Sequence, residues 1–100
     1  MNPRRVLYAE IVAAPGRDRE VRALLSELTA VVRAEPGNVL FEPSEREDRP
    51  GHFFVYEEYR DAEAFAAHIA SEASVEFNRR LGPLVEGGAS RLTRLAPLPG

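Results

Sequence analysis

The residue best suited to move a proton near neutral pH is His68, in the segment AFAAHIAS at residues 64–71. Phe65, His68 and Ile69 stand at positions i, i+3 and i+4, so in a helix they share one apolar face. The chain has two histidines, no cysteine and no lysine, which excludes thiolate and lysine chemistry. Two roles stay open for His68: a general base bordering an apolar pocket, or a core histidine satisfied by a carboxylate or a carbonyl.

Two adjacent acidic residues, Glu57 and Glu58, fall in a segment rich in aromatic and β-branched residues (HFFVYEEYR). In a strand they point to opposite faces. A carboxylate in so apolar a strand needs a partner, and arginine is the only strong cation in the chain. Either residue can therefore form a structural ion pair across a dimer interface or act as a catalytic acid.

Hydrophobic periodicity and turn residues predict the elements that must position these side chains. Strands are predicted at 4–13, 38–45, 52–60 and 90–96, and helices at 17–34, 62–70 and 71–85. Pro36 and Gly37 are expected to end the first helix, the glycine by taking a positive φ, and Asp61 and Ser71 are expected to cap the next two. The order β-α-β-β-α-β predicts a ferredoxin-like α+β fold, a four-stranded antiparallel sheet with helices on one face.

Composition limits the class of protein. One hundred residues with 44% hydrophobic content and a net charge of −3 predict one globular domain over 1–100 with a loose tail at 96–100. The charge argues against nucleic-acid binding. No apolar run reaches the ~20 residues of a membrane helix, and no signal-peptide core follows the N-terminus, so we expect a cytoplasmic protein. His52 and His68 lack metal-ligand spacing, so no metal site is expected.

The strands are apolar on both faces. In the strand at 52–60, Phe53 and Val55 share one face while Phe54 and Tyr56 share the other. Because two helices cover only one face of the sheet, the second face needs another cover. We therefore predict a homodimer in which two sheets pack face to face.

Four segments carry a further pattern: AEIVAAPGRDRE, RAEPGNVLFE, FFVYEEYRDAEAFAAHIAS and EFNRRLGPLVEG. In this order they resemble the antibiotic biosynthesis monooxygenase family, small dimeric α+β barrel proteins that include quinol monooxygenase-like members. The resemblance spans Tyr8 to about Gly87, and its most specific parts are the Glu-Pro-Gly turn, the strand with Tyr56, Glu57 and Tyr59, and His68.

The resemblance implies a cofactor-independent monooxygenase with a pocket between sheet and helices, in which a deprotonated quinol, anthrone or related aromatic or polyketide substrate passes an electron to O₂. No metal, flavin or haem is then required. His68 is the predicted catalytic residue. The residues predicted to bind substrate are Asn38, Phe41, Phe54, Tyr56, Glu57, Phe65 and Asn78. For Asn38 a turn role stays open, for Asn78 a solvent-facing one, and for the phenylalanines a place in the core.

Two other functions are weighed against this one. Haem-degrading relatives are expected to carry asparagine, tryptophan and histidine where this chain has Ala9, His68 and Asn78, so haem cleavage is not expected. The alternative is a non-catalytic or isomerase-like α+β barrel that binds a small ligand, because folds of this kind host many roles.

Overall fold

The computed structural model describes residues 3–99 and has the predicted order of elements. The strands are β1 (Arg5–Val12), β2 (Asn38–Glu45), β3 (His52–Tyr59) and β4 (Arg91–Leu95), and the helices are α1 (Asp18–Arg33), α2 (Ala62–Ala70) and α3 (Glu72–Leu81). The ferredoxin-like α+β prediction is confirmed. The third predicted helix is shorter than expected: Pro83 lacks an N–H and clashes with the preceding turn, so α3 ends at Leu81 and two short 3₁₀ turns follow.

The sheet is antiparallel throughout, with strand order β2-β3-β1-β4. β3 and β1 are central, so side chains on β3 lie in the middle of the layer that the helices cover. β2 is an edge strand, which is where Pro43 is tolerated because an edge leaves N–H positions unpaired. Its register shifts between Asn38 and Leu40.

The core lies between the helices and one face of the sheet. Helix α1 contributes an apolar stripe, and the strands contribute alternate residues that point toward it. Fully burying one such side chain stabilises the fold by about 1.5–3 kcal/mol. The core residues of the sheet and of α1 are Leu7, Ala9, Ile11, Val21, Leu24, Leu25, Leu28, Val32, Phe41, Phe53, Val55 and Tyr59.

The turn between α1 and β2 comes close to α2. Helix α1 ends at Arg33 as the Pro36 signal predicts, but Gly37 does not have a positive φ, so that part of the prediction is wrong. Glycine is required there for space: a Cβ on Gly37 would overlap the Cβ of Ala64 in α2. The predicted caps are confirmed, since Asp61 accepts a hydrogen bond from the Ala64 N–H and Ser71 accepts one from the Ser74 N–H.

The opposite face of the sheet has no second layer within residues 3–99. Phe54 and Tyr56 are exposed there, and the ring of Tyr8 lies 6.0 Å from that of Phe54, centroid to centroid. None of the helices in the described part of the chain is long and apolar enough to cross a membrane.

Candidate functional site

His68 lies in the last turn of α2 and points into the protein interior, where only 7% of the residue is exposed. Asp61 caps α2, so the helix begins at Ala62 and His68 falls on its buried side. Its ring packs against aromatic rings from three elements: the ring centroid of Tyr59 is 4.9 Å away, that of Phe65 6.2 Å and that of Phe41 6.4 Å. The imidazole is therefore held by packing as well as by hydrogen bonds.

The carboxylate of Glu35 holds one nitrogen of this ring. The Nδ1 atom of His68 is 3.1 Å from Oε1 and 3.2 Å from Oε2 of Glu35, which lies just beyond α1 at the turn that Gly37 keeps close to α2. A carboxylate only accepts hydrogen bonds, so Nδ1 carries the proton. In the neutral imidazole the lone pair is then on Nε2.

On the Nε2 side of the ring lies Glu57, in the middle of β3. The distance from Nε2 to Oε1 of Glu57 is 3.9 Å, too long for a hydrogen bond. The same oxygen accepts a hydrogen bond of 2.7 Å from the hydroxyl of Tyr59. Burial raises the pKa of Glu57 above its usual range, although the Tyr59 hydroxyl and His68 oppose the shift. Burial, together with the adjacent Glu57, also raises the pKa of Tyr59.

His68 and Glu57 border a cavity between the sheet and the helices, with an empty volume of ≈ 500 Å³ including its open mouth. Most of its lining is aliphatic or aromatic, from all four strands and all three helices. The polar lining residues are Glu57, His68, Ser74, Asn78 and Ser90. A largely apolar cavity with a few convergent polar groups, one of them with a shifted pKa, is the usual form of a small-molecule site. Within residues 3–99 no three His, Cys, Asp or Glu side chains converge as a metal site.

The family model for antibiotic biosynthesis monooxygenase matches residues 5–80, a span that runs from the start of β1 to the penultimate residue of α3 and contains most of the cavity lining. The chain belongs to the antibiotic biosynthesis monooxygenase family. No curated protein is significantly similar to it in sequence.

Solved structures agree with this family assignment. Rv0793 from Mycobacterium tuberculosis is 26% identical with a TM-score of 0.90, and the alignment covers 98% of each chain. PA3566 from Pseudomonas aeruginosa is 27% identical with a TM-score of 0.91, covering 99% of this chain and 98% of that one. A Bacteroides thetaiotaomicron protein named for the same family is 28% identical with a TM-score of 0.86, covering 95% and 90%.

Five of the eight predicted site residues of this family member line the cavity: Phe41, Glu57, Phe65, His68 and Asn78. The structure does not bring the other three to it. The amide nitrogen of Asn38 donates to the backbone oxygens of Leu40 and Glu58, at the register shift of β2, as expected for its turn role.

Phe54 and Tyr56 have the opposite strand parity from Glu57, so they lie on the uncovered face of the sheet. They are therefore outside the cavity of this chain.

Glu35 and Ser74 are among the residues of the site that sequence reasoning missed. Glu35 is 33 positions from His68, and no local pattern connects the two. Ser74 was detectable, because Ser74, Phe77 and Leu81 stand at i, i+3 and i+7 and so share the buried face of α3; all three are buried.

Proposed function

We propose that this chain is a cofactor-independent monooxygenase that uses O₂ to oxidise a quinol, an anthrone or a related electron-rich aromatic substrate. The observation that carries the proposal is the orientation of His68. Its Nδ1 is bound by Glu35, and its Nε2 is directed toward the Glu57 side of an apolar cavity. Membership of the antibiotic biosynthesis monooxygenase family supports the reaction class.

The first step is removal of a proton from the substrate by Nε2 of His68. The carboxylate of Glu35 stabilises the imidazolium that forms, because it faces the Nδ1–H directly. Deprotonation is the decisive step, since a phenolate or enolate gives up an electron much more easily than the neutral compound. The aromatic walls around the ring exclude water and leave this base free for the substrate.

The oxidation then balances without an added reductant. The substrate anion transfers one electron to O₂, and the resulting radical and superoxide combine to form a carbon–oxygen bond. The imidazolium returns its proton to the peroxide. The neutral Nε2 of His68 then removes the remaining hydrogen on the carbon as a proton, and the electron pair of that C–H bond forms the new carbonyl as the O–O bond breaks. For an anthrone, one oxygen atom becomes the new carbonyl and the other leaves as water with the two hydrogens of the methylene carbon. Glu57, kept in the protonated form over a wider pH range by burial, protonates the departing hydroxide and regains a proton from the imidazolium of His68, so the two hydrogens of the water correspond to the two lost from the carbon.

Oxygen uptake tests this directly. Protein dialysed against a chelator is mixed with anthrone, 1,8-dihydroxyanthrone or menadiol, with no cofactor added, and the rate is corrected for spontaneous oxidation. We expect turnover of at least one compound and a loss of about 100-fold in His68→Ala, the scale of a missing general base. His52→Ala is the matched control, because His52 begins β3 and does not line the cavity. With ¹⁸O₂, one labelled oxygen should appear in the product.

Other outcomes would contradict the proposal. Conversion of a compound without oxygen uptake would indicate an isomerase. Saturable binding with no conversion of any compound would indicate a ligand-binding module. An equal loss of turnover in His68→Ala and His52→Ala would remove His68 from the mechanism.

We also propose that the chain forms a homodimer through the uncovered face of the sheet. The exposed side chains of Phe54 and Tyr56, beside Tyr8, support this, because an aromatic patch on a sheet favours burial against a second sheet. Sedimentation should give twice the chain mass at micromolar concentration, and Phe54→Arg should give a monomer. A wild-type monomer under these conditions would contradict the proposal.

A further inference from the structure

The hydroxyl of Ser74 is buried without a hydrogen-bond partner. Ser74 lies in the first turn of α3, only 5% of the residue is exposed, and it lines the same cavity as His68. Its backbone N–H is satisfied by the Ser71 hydroxyl, but its own Oγ contacts no donor or acceptor among residues 3–99.

Every other buried polar residue in the described part of the chain has a partner. The hydroxyl of Thr29 donates to the Leu25 carbonyl at 2.6 Å, Glu57 accepts from Tyr59, and His68 is bound by Glu35. Burying a hydroxyl without a hydrogen bond is unfavourable, and a native fold keeps few such groups. The exception in this part of the chain is therefore the hydroxyl of a residue that lines the cavity.

We propose that the Ser74 hydroxyl binds an oxygen atom of the ligand and so determines specificity at the α3 side of the cavity. The chemical class of the ligand rests on the proposed function: it is a flat aromatic compound. This compound carries two oxygen substituents: one is bound by His68 and the second is bound by the Ser74 hydroxyl. Apolar walls from the sheet and helices contact the rings between them, so the two polar positions fix the orientation of the ligand.

A cycle of two proteins and two ligands isolates this contact. The probes are 1,5-dihydroxynaphthalene, with a hydroxyl on each ring, and 1-naphthol, which lacks the second one; binding is measured by equilibrium dialysis under nitrogen. The wild type should bind the diol more tightly than 1-naphthol. Ser74→Ala should weaken diol binding about two- to tenfold, the scale of one neutral hydrogen bond, and leave 1-naphthol binding unchanged. Ser26→Ala, on the exposed side of α1, should change neither.

The protein without ligand gives a second test. If the hydroxyl has no partner until a ligand binds, Ser74→Ala should leave the melting temperature of the free protein unchanged or raise it, because no internal hydrogen bond is lost. A fall of about 4 °C or more, the effect of roughly 1 kcal/mol in a domain of this size, would show that Ser74 is structural.

The results separate this inference from the proposed function. Equal affinity of the wild type for both naphthols, equal weakening of both by Ser74→Ala, or no binding of either would overturn the role of Ser74. A different result is possible: Ser74→Ala binds the diol more weakly and 1-naphthol unchanged, while the wild type consumes no oxygen with any compound. That result would support the role of Ser74 in binding and contradict the monooxygenase activity.

Discussion

Glu57 and Glu58 are neighbours in β3 with closely similar local partners but opposite surroundings. Each accepts a 2.7 Å hydrogen bond from a tyrosine two positions away on its own face, Tyr59 for Glu57 and Tyr56 for Glu58. Glu57 faces the helices beside His68, whereas Glu58 faces the open side, where Arg4 approaches to 3.0 Å. The strand period alone separates the two environments.

The comparison shows how the second partner determines what a carboxylate can do. Glu58 is paired with Arg4, whose guanidinium is a permanent cation. Within residues 3–99 no arginine pairs with Glu57; its neighbours are the hydroxyl of Tyr59, which does not ionise near neutral pH, and the imidazole of His68. Burial without a fixed cation raises the pKa of Glu57, and that is the condition under which a carboxylic acid can act in proton transfer.

The largest expected difference between the two is in turnover. Glu57→Gln should lower kcat about 100-fold, the scale of a missing acid or base, because the amide still accepts from Tyr59 but cannot transfer a proton. Glu58→Gln should stay within about twofold, since surface pairs contribute little. The rate of oxygen uptake with the best substrate gives kcat for both variants. Equal losses of kcat would contradict the proposal that only the carboxyl group facing the helices takes part in proton transfer.

Stability should separate the two tyrosines next. Tyr59→Phe should lower the free energy of unfolding by about 1–3 kcal/mol, because it removes the donor to a buried carboxyl group. At protein concentrations low enough for the chain to be monomeric, Tyr56→Phe should change it by less than about 0.5 kcal/mol, as for most exposed sites. Urea denaturation measures both. An effect of Tyr56→Phe that grows with protein concentration would show that the dimer buries this face.

The smallest effect is a pH dependence of stability. Because the pKa of Glu57 is raised in the fold, the unfolded chain loses this proton first as the pH rises above its ordinary value of about 4.5. The contribution of Glu57 to the free energy of unfolding is therefore fully present below that pH. It is lost as the pH rises through the higher pKa of Glu57 in the folded state. The difference in unfolding free energy between wild type and Glu57→Gln should change across this window. A difference that is constant with pH would contradict the raised pKa.

The fold was largely predictable because its signals are local. The stripe of α1, the caps Asp61 and Ser71, and the alternation in β3 each act over a few residues, and the structure confirms them. The end of α3 was missed because Pro83 outweighs the apolar stripe that continues past it.

The site was predictable only in part, because contacts between distant segments decide it. His68 and Glu57 could be singled out by residue type. Alternation in β3 shows that Glu57 lies on the opposite face from Phe54 and Tyr56, but which of these faces the helices cover is decided only by tertiary packing. Glu35 meets His68 only after α1, β2, β3 and α2 have packed. Both interpretations of His68 contain a true element: a carboxylate does satisfy it, and it does border the cavity.

The close approach of Gly37 to Ala64 has a consequence for engineering this protein. The missing Cβ lets the turn that carries Glu35 lie directly against the helix that carries His68, so a residue with no side chain sets the spacing between the Glu35 carboxylate and the His68 imidazole. A mutational scan confined to the cavity wall would pass over it. A larger residue at position 37 should push this turn away from α2 and lengthen the distance from Glu35 to Nδ1 of His68. Every residue that lines the cavity would remain unchanged.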